Sequence, residues 1–144
     1  MANKAEDFYY KGDAINPDLV TTEAQKWANA FVPKREGKQY GGPKPINSAQ
    51  LRRFYGDVKN LEMRWQNSTD ERKSQAFLEI LPMIKLLKAK AAYAHKRTLV
   101  PDSFKNWIWD NVDMINSEKD FKAFLLYFEA VVGFCYGNGL GDNG

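Results

Sequence analysis

The residues best suited to chemistry in this chain are basic side chains at helical spacing, and the chemistry they offer is neutralisation of phosphate. Lys85, Lys88, Lys90, Lys96 and Arg97 fall within thirteen positions, with Tyr93 and His95 among them and no acid between Glu79 and Asp102. At 100° per residue, Lys85, Lys90, Tyr93, Lys96 and Arg97 lie opposite an apolar stripe centred between Leu87 and Ala91. Like charges at this density repel one another along a helix. A helix face built only for solubility usually mixes Glu with Lys. Ala89 and Ala92 leave the backbone approachable, and Tyr93 offers a flat ring among cations. A weaker version precedes it: Arg52, Gly56, Lys59, Asn60 and Met63, flanked by Arg53 and Arg64, lie opposite Leu51, Phe54, Val58, Leu61 and Trp65. Gly56 costs a helix about 1 kcal/mol against Ala, which either an approaching partner or helix packing would explain. Two such faces side by side make a groove that follows a nucleic-acid backbone without reading bases. The competing readings are plain solvated lysines and a docking face for an acidic protein.

Nothing else in the sequence assembles into an active site. His95 is the only histidine and Cys135 the only cysteine, which excludes a Cys/His zinc site and a histidine-based triad. No glycine-rich loop leads into Lys-Ser or Lys-Thr, and there is no G-x-G-x-x-G. Asp110 with Asp113 and Glu118 with Asp120 sit near one another, but such acids read as solvated faces or as charges that complement a helix N-terminus. Cys135 falls on an apolar stripe with Phe121, Phe124, Leu125, Phe128, Val131 and Val132 and reads as a small core residue. The expectation is a non-enzyme with no catalytic residue, cofactor or metal.

Charge is segregated along the chain. The net charge of +3 divides into −2 over residues 1–33, +9 over 34–97 and −4 over 98–144, a basic middle that suits a polyanion. Hydrophobic residues make up 44% of the 144 positions, enough for a buried core. No run reaches the roughly 20 apolar residues of a membrane span, and the N-terminus does not read as a signal peptide. The lone cysteine suits a reducing cytoplasm.

The elements that must position the basic residues are helices. Residues 1–21 read as a flexible or loosely docked leader. Thr22 to Gln25 resembles a capping box opening a helix near 22–32, and a basic Pro/Gly loop follows at 33–46. Asn47 to Gln50 caps a helix near 48–66, and Ser68 to Glu71 caps a long one over 70–97, with a kink expected near Leu81 because Pro82 lies inside it. Helices near 103–115 and 118–136 complete the set, the last apolar nearly all round and so either central or facing another subunit. Residues 137–144 read as a flexible Gly/Asn tail. The fold class is all-α, a single-domain bundle of four to five helices over 22–136.

Three of these segments carry a family resemblance. Ser48-Ala-Gln-Leu-Arg-Arg-Phe-Tyr-Gly-Asp-Val-Lys-Asn-Leu-Glu62 resembles the leading motif of the small helical subunit of type III-A CRISPR effector (Csm) complexes. Leu86-Leu-Lys-Ala-Lys-Ala-Ala-Tyr-Ala-His-Lys-Arg97 is similar to the second motif, and the Phe121-to-Tyr136 helix, with Phe128-Glu-Ala-Val-Val, to the third. The resemblance implies a non-catalytic RNA-binding subunit in antiviral defence. It would be repeated beside neighbouring copies of itself and would contact the backbone and large subunits, the guide RNA and the target RNA, with no membrane. By position it implies an RNA groove lined by Arg52, Arg53, Lys59, Lys85, Lys88, Lys90, Lys96 and Arg97; Tyr93 joins these from the reading of the basic face.

Overall fold

The computed structural model describes residues 7–33 and 44–141. The expectations for residues 1–6, for most of the 33–46 loop and for the last three residues lie outside them. The helices are α1 (Thr22–Phe31), α2 (Ser48–Gln66), α3 (Lys73–Lys85), α4 (Leu87–Lys96), α5 (Asp102–Met114) and α6 (Glu118–Gly137). Counting α3 and α4 as one broken helix gives the five expected segments, and the fold is all-α apart from one small hairpin.

Helix starts follow the capping residues in part. Asn47 accepts from Gln50 N at 3.1 Å and Ser117 from Asp120 N at 3.1 Å, each fixing the first turn of its helix. The Thr22 signal is displaced, because α1 is preceded by Thr21, whose side chain makes no capping bond. Ser68 donates instead to Trp65 O, and a 3-10 turn at Asp70–Arg72 leads into α3. The break comes later than expected, at Leu86 rather than Leu81. Pro82 lacks the N–H that would bond Leu78 O. α3 nevertheless continues through Pro82 to Lys85; Leu86 N bonds Pro82 O at 2.9 Å, and ψ is −20° at Leu86, a 3-10 value.

α6 is the central element. Phe121, Ala123, Phe124, Leu125, Tyr127, Phe128, Val131 and Cys135 are all buried, while Leu126 and Tyr136 on the same helix are exposed. Burial pushes the Cys135 thiol up to about 12, so it stays protonated and inert at neutral pH. Trp107 of α5 anchors an aromatic cluster, with ring centroids 5.2 Å from Phe128 and Tyr127, 5.6 Å from Phe124 and 5.7 Å from Phe31.

The segment before α1 departs from the expected leader. Tyr10–Lys11 (β1) and Ala14–Ile15 (β2) pair as an antiparallel hairpin whose two-residue loop opens on Gly12 at φ 67°. Tyr9 and Leu19 are wholly buried. Tyr9 donates from its hydroxyl to Asn111 Oδ1 at 2.6 Å, and Tyr10 to the buried Asp120 at 2.5 Å. From Asp7 onward this segment therefore packs into the bundle, because its aromatic rings find apolar cover and its hydroxyls find buried acceptors.

Candidate nucleic-acid interface

α2 and the α3–α4 pair run antiparallel. Lys90 pairs with Asp57 at 3.1 Å, and Arg64 Nη1 contacts Met83 Sδ at 3.0 Å further along. This brings Arg53 of α2 to the same groove as Tyr93 of α4 and Arg97, the residue that ends it. Together with Lys90, Asp57, Gln50 and Leu99 they line a groove of about 260 Å³ whose floor is Phe54 and Ala94. Tyr93 is exposed, with the Arg97 guanidinium 5.7 Å from its ring centroid. Arg97 is presented by a strained turn. Thr98, the residue after it, has φ 60°, while Leu99 N bonds Ala94 O at 3.0 Å and Thr98 N bonds His95 O at 2.9 Å. That is the Schellman pattern with a β-branched residue where glycine is usual. Arg52 and Lys96 are exposed but do not line the groove, and neither forms an ion pair among the described residues.

The other three expected residues are drawn elsewhere. Lys85 is half-buried and donates to Val112 O at 2.7 Å, Ile115 O at 2.7 Å and Asn116 Oδ1 at 3.2 Å, closing the C-terminus of α5. Burial lowers its pKa, with Asp113 opposing the shift. Lys88 pairs with Asp113 at 2.8 Å and lies 4.7 Å over the Trp109 ring, so it faces α5. Lys59 is held by Glu62 at 2.6 Å, and this hydrogen bond raises its pKa. The α4 cations are also less unbalanced than the sequence implied. Asp57 of α2 meets Lys90, and Asp113 of α5 meets Lys88. A search for charge partners along one helix could not see them.

Two stability predictions follow from this placement. Lys85→Met leaves two half-buried carbonyls of α5 without a donor, so it should destabilise the fold by about 1–3 kcal/mol in urea melts while leaving nucleic-acid affinity unchanged. Gly56 has the opposite sign. A Cβ added there meets nothing within 4 Å, which removes helix packing as the reason for the glycine. Gly56→Ala should stabilise by about 1 kcal/mol, seen as a melting temperature about 2–4 °C higher.

Among the described residues no group of three or more His, Cys, Asp or Glu side chains could hold a metal ion. No described helix is long and apolar enough to cross a membrane. Comparison with family models matches residues 16–136 to the model described as Csm2 Type III-A. No curated protein and no solved structure matches the chain.

Proposed function

The chain belongs to the Csm2 family, the small subunit of the type III-A CRISPR (Csm) effector complex, and from that premise we propose that it serves there as a non-catalytic RNA-binding subunit in cytoplasmic antiviral defence. The observation that carries the reading is the convergence of Arg53, Lys90, Arg97 and the exposed Tyr93 on one groove between two helices. Cations set along a groove engage successive phosphates, and an exposed ring beside them stacks on a sugar or base. Gln50 is the one amide lining the groove, too little to read sequence. A subunit beside a guide that reads by base pairing needs no more than that. The Lys90–Asp57 pair does not obstruct the role. Both side chains are more than a third exposed, and surface pairs of this kind contribute about 0–1 kcal/mol, so a phosphate can displace the carboxylate.

In this reading Arg52 and Lys96, which do not line the groove, add only to the positive field around it, whereas Lys59, Lys85 and Lys88 serve the bundle. Met63, Leu78, Met83 and Leu86 are exposed on α2 and α3–α4, the same helices that carry the groove. They are the surface we assign to the backbone and large subunits and to neighbouring copies.

The test is binding of single-stranded RNA by the free chain together with co-purification of the assembled complex. The free chain should bind weakly, with dissociation constants of about 10⁻⁴–10⁻⁶ M near physiological salt and no sequence preference. Co-expressed with its partner subunits and a guide, it should co-purify with RNA. Nanomolar, sequence-selective binding by the free chain would overturn this reading. Tight binding to an acidic protein with no RNA affinity would establish the adaptor reading in its place.

A further inference from the structure

The groove between α2 and α4 holds one group that a surface built for phosphate alone would exclude. Gln50, Arg53 and Asp57 recur at three- and four-residue spacing on α2, as do Lys90, Tyr93 and Arg97 along α4 and its end, so each set shares one helix face. Asp57 therefore lines the groove among its three cations, Arg53, Lys90 and Arg97. Its Oδ2 holds Lys90 Nζ at 3.1 Å, while Oδ1 meets no donor among the described residues. The Asp57 side chain is 36% exposed, so a strand lying along the groove can reach that carboxylate.

A carboxylate accepts hydrogen bonds and cannot donate them. Along a nucleic-acid backbone the phosphate oxygens and the sugar ring oxygen also only accept, and the phosphates repel a carboxylate by charge. The one backbone group that donates is the ribose 2′-hydroxyl, which DNA lacks. Base edges donate too, but each base in its own pattern. A fixed acceptor aimed at them would select sequence, which a subunit beside a base-pairing guide has no need to do. We propose, on the reading of this groove as one that follows an RNA backbone, that Asp57 accepts the 2′-hydroxyl of a ribose whose neighbouring phosphate is held by Lys90, and that this contact makes the groove prefer RNA to DNA. Lys90 serves both states. In the free chain it pairs with Asp57; with a strand bound it turns to the phosphate and leaves the carboxylate to the sugar. A deoxyribose strand makes the same phosphate contacts but brings no donor, so the carboxylate then only repels it, and the one residue both favours RNA and disfavours DNA.

An oligouridylate and its 2′-deoxy and 2′-O-methyl counterparts of equal length carry the same bases and the same phosphates. The 2′-O-methyl strand keeps the sugar pucker of RNA but has no hydroxyl to donate. In fluorescence anisotropy titrations of the full chain, the RNA should bind about fivefold or more tighter than either counterpart, the scale of one net hydrogen bond. Because the three strands share their phosphates, their salt dependences should run parallel, with the offset kept at every salt concentration. Asp57→Ala should erase the difference between the RNA and the 2′-O-methyl strand, and should strengthen binding of the 2′-deoxy strand by removing a negative charge. Asp57→Asn, whose amide oxygen still accepts, should keep a preference between those of the wild type and Asp57→Ala, with thermal melts of both variants reporting an intact fold. Equal wild-type affinity for the three strands, an undiminished preference in Asp57→Ala, or an Asn variant no more selective than the Ala variant would each overturn the proposal while leaving the phosphate groove in place. So would a preference for a strand carrying one guanine that vanishes with Asp57 and ignores the sugar, because the carboxylate would then be reading a base. A wild-type chain that bound none of the strands would overturn the phosphate reading itself, and the sugar contact with it.

Discussion

Phe128→Ala should lower the stability of the chain by about 3–5 kcal/mol, within the range for truncating a buried phenylalanine. Phe128 has no solvent exposure, and its ring stands 5.2 Å from Trp107, 5.4 Å from Tyr55 and 5.6 Å from Phe124 by centroid. These rings belong to α5, α2 and α6, so the side chain joins three helices at one point. Large rigid aromatics relax poorly into a void, which places the cost toward the upper end of that range. At about 2–4 °C per kcal/mol for a chain of this length, the melting temperature should fall by roughly 6–20 °C. Leu126→Ala supplies the contrast from the same helix. Leu126 is 46% exposed, and its loss should change stability by about 0.5 kcal/mol or less. Thermal and urea melts of the two variants make the comparison. A cost below 1 kcal/mol for Phe128→Ala would mean that α6 is not the centre of the bundle.

That contrast is legible in the sequence, because a 3.6-residue period alone puts Phe128 on the apolar stripe and Leu126 off it. The same period yields the stripes of α2 and α4, and Asn47 and Ser117 mark two helix starts correctly. What lies hidden depends on residues distant in the chain. Tyr9 looks like part of a polar leader until Asn111, 102 positions later, supplies a buried acceptor for its hydroxyl. Lys85 looks like one more surface cation until α5 ends beside it with carbonyls to satisfy. Local pattern fixes which face a residue occupies, not which neighbour occupies the space beyond it. For the same reason the α4 cations look unbalanced: their carboxylates come from α2 and from the C-terminal end of α5. The site is therefore half legible. Arg53, Lys90, Tyr93 and Arg97 do converge, while Lys59, Lys85 and Lys88, equally basic in sequence, are held by the bundle.

Replacing Arg53, Lys90 and Arg97 together by alanine should weaken binding of single-stranded RNA by tens of fold near 0.15 M salt while leaving the fold intact. Each phosphate contact on a single strand contributes about 0.7 to the slope of log affinity against log salt. At that salt concentration this is worth about fourfold in affinity per contact, and the three losses multiply. The slope should flatten by about 2 in the same titrations, and the loss should be uniform across RNA sequences because no base is being read. All three side chains are exposed, so melting should shift by no more than ordinary surface changes do, about 0.5 kcal/mol each. Removing Lys90 also frees Asp57, whose uncompensated carboxylate then repels the strand and adds to the loss. Lys85→Met and Lys119→Ala serve as controls that each remove one positive charge outside the groove, Lys119 lying over the Tyr10 ring of the hairpin; both should keep the wild-type salt slope. Filter binding or fluorescence anisotropy at four or five salt concentrations measures affinity and slope together. If the triple variant keeps the wild-type slope, the groove carries no phosphate, and its cations are there to meet the acidic surface of a protein.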